Sequence, residues 1–198
     1  MEWLKLGYFI GNLFFGDMNF NGKLNQQLQR AIRDIPDYPK PGIVFKDITP
    51  VLANPVLVNS VVEAMVAHAE TLQVDAVVAI EARGFIFGGM LARALNCPFV
   101  PVRKVGKLPY RTITKDYDLE YGSATVEMHE DALAKGWNVL IHDDLLATGG
   151  TAAAAAHLVQ QAGGRVAGFS FLINLAFLPG EKKLKNEFAL NPFYLVSF

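Results

Sequence analysis

A single cysteine, Cys97, is too few for an intrachain disulfide framework and suits a reducing cytoplasm. Beside "PFVPV" it reads as core filler rather than as a nucleophile. The four histidines, His68, His129, His142 and His157, are scattered and lack partners at zinc-ligand spacing, so no protein-held metal centre is expected. The net charge of −1 leaves no global basic field to attract nucleic acid, and any anion site has to be local. No apolar run is long enough for a bilayer. The N-terminal "WLKLGYFIGNLFF" falls short of the roughly 20 residues a spanning helix needs, and Gly11 and Asn12 interrupt it. It also lacks the basic start and small-residue cleavage site of a secretion signal, because Glu2 leads it and "GDMNF" follows. Residues 1–23 are read as an N-terminal extension, with translation starting at Met18 as one alternative for its first 17 residues.

What is present is apolar. Hydrophobic residues make up 52% and charged residues 19% of 198, which places the chain among compact folded proteins with a sizeable core. No repeat or low-complexity linker divides it, so residues 24–198 are expected to form one domain. "KLNQQLQRAIR" and onward suggests a polar-faced helix over 24–34. The proline-punctuated stretch through residue 55 suggests an ordered loop with short extended pieces. Val58, Val62, Met65, Val66 and Ala69 recur at helical spacing within 56–72. "VDAVVAI", "CPFVPVRK", "WNVLIHDD" and "RVAGFSFLINLA" are strand-like runs, and "ATVEMH" alternates as a hairpin strand does. "GFIFGGMLARALN" and the alanine run after Thr151 are helical, the latter closed by Gly163 and Gly164. Residues 104–122 are expected to be a long irregular excursion. The strand–helix alternation argues for an α/β fold, a parallel twisted sheet with helices on both faces.

In such sheets ligands bind beyond the carboxyl ends of the strands, where loops after Ile80, Val102 and Ile141 meet. The third loop carries the densest chemistry: "VLIHDDLLATGGTAAAAA" drives an apolar strand into two adjacent acids, then glycines, then a helix. A capped turn would explain the glycines but not both carboxylates, which repel each other and lose hydration there. Small residues from Ala147 to Gly150 let a ligand approach the backbone, and the helix start directs N–H groups and about 0.3–1 kcal/mol of dipole stabilisation at an anion. No lysine follows the glycines, so this is not a nucleotide-binding P-loop. Asp143 and Asp144 could each accept a hydrogen bond from vicinal sugar hydroxyls, or sit beside a divalent cation.

Acid pair followed by "LLATGGT" resembles the phosphoribosyl-pyrophosphate (PRPP) signature of the type I phosphoribosyltransferase family. The variant is similar to that of its adenine-specific branch. "DYPKPGIVFKDITPVL", "EARGFIFG", "VPVRKVGKLP" and "YDLEYG" resemble that branch in order and spacing, over roughly residues 25–185. The resemblance implies a Rossmann-like core with a small hood at about 36–55 and a flexible lid at about 104–122. It implies that Ala147, Thr148, Gly149, Gly150 and Thr151 hold the 5′-phosphate and Asp143 and Asp144 the ribose hydroxyls, with Mg²⁺ nearby and held mainly by substrate. It further implies a non-proline cis peptide at Glu81–Ala82, with Arg83 clamping pyrophosphate and Arg103, Lys104 and Lys107 adding positive charge.

By the same resemblance Val44 and Lys46 read the adenine edge with main-chain groups, while Phe45 and Leu145 sandwich the ring. Lys46 departs from the arginine common in the branch. Glu120 is in the position that handles the purine proton. Tyr121 reads equally as a lid contact or a hairpin aromatic. His142 stands where an aliphatic residue is usual, and strand alternation turns it away from Asp143, towards core or interface. The implied reaction is transfer of the phosphoribosyl group from PRPP to adenine in purine salvage, giving AMP, by a cytoplasmic homodimer without nucleic-acid or membrane partners. Two alternatives stand beside it. A 6-oxopurine enzyme would be expected to present a lysine to the purine oxygen, for which no clear counterpart is found. A PRPP- or purine-sensing regulator would carry an added DNA-binding segment.

Overall fold

The computed structural model describes residues 17–118 and 122–198, and the chain divides into two compact units between Ser60 and Val61. In the first unit, helix α1 (Asp17–Ala31) precedes an antiparallel ribbon of β1 (Arg33–Pro36) and β2 (Val44–Asp47), registered from Arg33 opposite Asp47 to Pro36 opposite Val44. The helix is shifted N-terminally from the expected 24–34, because residues 33–36 are taken by strand pairing. The connection 37–43 is built rather than loose. The Asp37 carboxylate accepts the Gly42 N–H at 2.7 Å, and Gly42 takes φ 85°, a conformation that suits glycine. A short helix, α2 (Thr49–Leu52), follows, its entry fixed by the Asp47 carboxylate accepting from Thr49 N–H (2.8 Å) and Oγ1 (2.5 Å).

Helix α3 (Pro55–Glu70) matches the expected helix, but its buried stripe is Leu57, Val61, Met65 and Ala69. Val58, Val62 and Val66 flank that stripe and are only partly buried. With apolar residues on two adjacent rows, periodicity could not separate the innermost row from its neighbour.

The second unit is organised around a seven-stranded sheet in the order β5-β6-β4-β3-β7-β8-β9. Strands β3 (Ala76–Ile80), β4 (Phe99–Lys104), β7 (Asn138–Leu146), β8 (Arg165–Asn174) and β9 (Phe193–Ser197) are parallel. The expected parallel sheet is therefore present. At one edge it carries an antiparallel pair, β5 (Thr112–Asp118) with β6 (Ser123–His129), joined through β6 to β4. Strand β5 corrects the expectation of an irregular excursion. Its register with β6 is continuous from Thr112 opposite His129 to Asp118 opposite Ser123. Its two apolar side chains, Ile113 and Tyr117, pack against the core, but its other five residues are polar, which hid the strand from a hydropathy reading.

Helices cover both faces. On one, α5 (Gly150–Gln161) buries Ala152 to Ala156, Leu158 and Val159 in a cluster with Val78, Ile80, Ile141 and Phe169. Alanines serve here because a helix laid closely on a sheet has no room for larger side chains, and alanine also has the highest helix propensity. On the other face, α4 (Gly84–Ala94) crosses Ala79 and His142 at Gly88, where a Cβ would lie 3.5 Å from the His142 ring. Helix α6 (Gly180–Phe188) precedes the edge strand β9. No helix among the described residues is long and apolar enough to cross a membrane.

Candidate active site

Adjacent strands β4, β3 and β7 end at one edge of the sheet, and their last residues with the segments that follow carry Arg103–Lys107, Glu81–Gly84 and Asp143–Thr151. Strand β7 runs to Leu146, two residues beyond the acid pair, because Leu145 and Leu146 still pair with Ile173 and Asn174. Asp143 and Asp144 are thus held on a regular strand rather than a loop, which fixes their directions. Asp144 is 5% exposed, and its Oδ2 lies 2.6 Å from Nη2 of Arg83. Asp143 accepts the N–H of Asp144 at 2.8 Å.

Burial pushes both carboxyls above the usual range. For Asp143 the neighbouring charge of Asp144 adds to the rise and the Arg83 guanidinium opposes it, while for Asp144 Arg83 is the main opposing influence. Gly84 makes this packing possible: a Cβ on it would lie 2.8 Å from Oδ1 of Asp143.

The loop after β7 turns at Gly149, in the left-handed region at φ 77°, and Gly149 caps α5 with no side-chain hydrogen bond. The first turn of α5 contains no acid. Its amide donors and dipole therefore favour an anion. Thr148 is exposed and Thr151 half-buried beside it. The loop is backed from two directions that sequence reading did not find. A Cβ on Gly150 would come within 3.2 Å of both the Asp118 carbonyl and the Tyr117 ring on β5. The N–H of Gly180, at the start of α6, donates to the Ala147 carbonyl at 3.1 Å, and a Cβ there would collide with that carbonyl and lie 2.8 Å from Cδ1 of Leu146. "LPGEKK" gave a hint only in placing a glycine at a helix start.

The Glu81–Ala82 peptide is cis, as the resemblance implied. Glu81 accepts from Arg103 Nη2 at 2.7 Å and from the Lys104 N–H at 3.3 Å, so Arg103 is ion-paired within the site rather than projecting as a lone cation. Arg103 and Lys104, led by the Arg103 hydrogen bond, hold the Glu81 carboxyl below its usual range against a smaller effect of burial. Arg103 Nη1 also donates to the Lys107 carbonyl at 3.0 Å. The structure therefore brings together Glu81, Ala82, Arg83, Arg103, Lys104 and Lys107 with Asp143 to Thr151, including half-buried Leu145. Among the described residues no group of three or more His, Cys, Asp and Glu side chains converges as metal ligands.

Val44, Phe45 and Lys46 belong to the other unit. There Val44 is 49% exposed, and the Phe45 ring meets Tyr38 edge-on at 5.3 Å. The Lys46 side chain is turned back onto β1, with Nζ 2.7 Å from Asp34. Glu120 and Tyr121 lie outside the described residues.

His142 is fully buried between Ala79 on β3 and Gly88 on α4, so it is a core residue and not part of the charged cluster. Neither ring nitrogen meets hydrogen-bond geometry among the described residues. Burial lowers its pKa from 6.5 to about 4, which the nearby Ser170 backbone offsets only in part. A histidine whose folded pKa is depressed contributes stability above its unfolded value and loses it as pH falls towards the folded one. Stability is expected to drop by on the order of 3 kcal/mol between pH 6.5 and 4 through this residue. His142→Leu should remove that part of the acid limb in urea titrations. An unchanged limb would show that His142 titrates normally.

Residues 48–187 match the family described as phosphoribosyl transferase domain. The chain is 56% identical over 160 residues to the adenine phosphoribosyltransferase of Myxococcus xanthus, covering 81% of this chain and 87% of that protein. It is 53% identical over 157 residues to that of Thermobifida fusca, covering 79% and 89%. Among solved structures, adenine phosphoribosyltransferase from Rhodothermus marinus superposes with a TM-score of 0.85 at 50% identity, covering 89% of this chain and 99% of that one. The Saccharomyces cerevisiae enzyme, solved with an imino-altritol bisphosphate and adenine, gives 0.82 at 40% identity, covering 88% and 99%.

Proposed function

This chain belongs to the adenine phosphoribosyltransferase family, and from that premise we infer that it transfers the 5-phosphoribosyl group of PRPP to adenine, giving AMP and pyrophosphate. The observation that carries the reading is the acid pair on β7, tied to Arg83 and followed at once by a helix start capped by Gly149. A sugar bearing hydroxyls and a phosphate a few ångströms apart matches that order of acceptors and donors.

In the proposed arrangement the 5′-phosphate rests on the amides and hydroxyls of Ala147–Thr151, and Asp143 and Asp144 accept from the ribose hydroxyls. The Glu81–Ala82–Arg83 turn faces pyrophosphate, and Arg103, Lys104 and Lys107 supply further charge and main-chain donors. Val44 and Lys46 contact the purine edge through their backbones, between Phe45 and Leu145. The tie of Lys46 to Asp34 supports a main-chain role and explains why lysine can stand in place of arginine.

Magnesium bound with PRPP would supply charge neutralisation at the pyrophosphate, and Asp143 and Asp144 are the residues that would face it. The two aspartates offer hard oxygen donors, and among the described residues no group of three or more His, Cys, Asp and Glu converges, so the substrate would supply most of the coordination. Attack by the adenine nitrogen from the face opposite the leaving group inverts the anomeric carbon. No covalent nucleophile is needed, since positioning and charge stabilisation suffice. Glu120, by the resemblance, handles the purine proton, and the segment about 104–122 limits access of water to the electron-poor sugar carbon.

A single domain spanning 24–198, a homodimer and a cytoplasmic location belong to the same proposal. Partly exposed apolar side chains on and beside α4, Ile86, Met90 and Phe99, support the dimer. Side-by-side assays of adenine, hypoxanthine and guanine with Mg²⁺ and PRPP test the reading. Turnover with adenine alone, or faster by orders of magnitude, is expected. Preference for a 6-oxopurine overturns the assignment of base, and gel shifts with DNA in place of turnover would favour a regulator.

A further inference from the structure

Glu127, on β6, is 3% exposed, and no step of the reaction above uses it. One of its carboxylate oxygens accepts two successive backbone N–H groups, from Lys107 at 2.7 Å and Leu108 at 2.8 Å. The other accepts from Thr112 Oγ1 at 3.2 Å. A buried carboxylate is costly unless several donors converge on it. Here burial raises the carboxyl, while the N–H groups of Leu108, Gly106 and Lys107 outweigh it and leave it below the usual range. Those donors come from the connection between β4 and β5, which has no regular structure of its own between Val105 and Arg111. The carboxylate thus fixes the backbone at 107–108, between main-chain hydrogen bonds that tie Val105 to Thr125 and Arg111 to Glu130.

That conformation has a definite consequence. With both N–H groups of 107–108 turned towards Glu127, the Lys107 carbonyl accepts from Nη1 of Arg103. Arg103 is then held between this carbonyl and the Glu81 carboxylate, to which its Nη2 donates. Glu81 in turn accepts the Lys104 N–H at the end of β4. The result is a continuous chain, Glu127 to the 107–108 backbone to Arg103 to Glu81, ending at the cis peptide beside Arg83. Strand pairing sets its far end as well, because Glu127 lies opposite Arg103 on β4 and opposite Thr114 on β5.

We propose that Glu127 is a positioning residue for the pyrophosphate half of the site, acting through the Lys107–Leu108 backbone to place Arg103 and the Glu81–Arg83 turn. This deepens the functional reading and rests on it. The hydrogen bonds that lead from Glu127 stop at Glu81, and the acid pair is reached only at one remove, through Arg83, which pairs with Asp144. Loss of Glu127 should therefore separate the two halves of the substrate.

The test measures affinity for Mg²⁺–pyrophosphate and for AMP, and the KM for PRPP and adenine, in the full-length protein and in Glu127→Ala, Glu127→Gln and Thr112→Val. Glu127→Ala should weaken pyrophosphate and raise the PRPP KM about tenfold, with AMP and adenine altered less than about twofold. Glutamine keeps an oxygen for both N–H groups and should restore most of the loss. Thr112→Val, which removes only one donor, should shift the same pair of constants slightly, and with the glutamine variant it answers the question if the alanine variant does not fold. Amide exchange at Lys107 and Leu108 should quicken in parallel with pyrophosphate loss. AMP and pyrophosphate weakening together, or neither weakening, in a wild type that binds both overturns the inference alone. A wild type that binds neither overturns the functional reading and the inference with it.

Discussion

Replacing Glu120 with alanine is expected to lower kcat about 10²-fold while leaving the KM for adenine and PRPP within a few-fold. A positioned carboxylate typically supplies a factor of 10²–10⁴ when it moves a proton in the transition state, and such an interaction appears in kcat rather than in ground-state binding. The proton in question is on adenine, which must lose one as its ring nitrogen bonds to the sugar. Glu120 is the candidate because "DLEYG" resembles the family segment in which an acid faces the purine. Two residues before it in the sequence, the Asp118 carbonyl lies with the Tyr117 ring against the start of α5 at Gly150. Steady-state kinetics over a range of both substrates separate the outcomes. Full turnover in the variant removes Glu120 from the mechanism, whereas a large rise in KM with kcat intact would make it a binding residue.

The second large effect has an unusual sign. Asp143→Asn should weaken AMP and PRPP by about 10–10²-fold, the value of one hydrogen bond to a charged group at roughly 1.5–3 kcal/mol. The same change should raise the thermal midpoint of the ligand-free protein. Burial first, and then the charge of Asp144, hold the Asp143 carboxyl well above its usual range; the Asp144 N–H and Arg83 oppose this without cancelling it.

A carboxyl with a raised folded pKa binds more protons folded than unfolded. Its ionised form therefore lowers stability as pH rises from the unfolded value to the folded one, and the whole cost persists above that window. Asparagine has nearly the same shape, can still accept the Asp144 N–H and carries no charge to desolvate. It leaves the Arg83–Asp144 pair in place, which Asp144→Asn would not. Acidification through the window should stabilise the ligand-free wild type relative to the variant and weaken sugar binding at the same time. Thermal melts and calorimetry across pH check both. A lower midpoint together with weaker binding would mean that Asp143 holds the fold and not the ligand.

The acid pair, the glycine loop and the alanine helix were legible because each needs a residue type that few other roles demand at that spacing. Two carboxylates at the end of an apolar strand have no packing rationale, and a sharp left-handed turn before a helix calls for glycine. The parallel strands were legible for the same reason, since β3 is buried along its whole length and reads as unbroken apolar sequence. Strand β5 was not legible. It is a polar edge strand with two inward apolar residues among five polar ones, and its pairing comes from β6 rather than from its own pattern. The Glu127 network was invisible because the two short bonds that Glu127 accepts come from backbone groups, which leave no mark on side-chain identity. Gly180 was missed because the residue it must avoid, Ala147, is remote in sequence. The acid-pair half of the site is written in side chains, and the supports beneath it are written mostly in main chain.

The contact of Gly180 with the Ala147 carbonyl also bears on when this protein becomes competent during synthesis. A nascent chain ending just after α5 already contains the whole signature from Val139 to Ala156, yet lacks the segment that backs its turn. Strand β9, which closes the sheet beside β8, is made later still. Substrate can therefore shelter the newborn protein from unfolding or proteolysis fully only once α6 has been made and has folded back onto that turn.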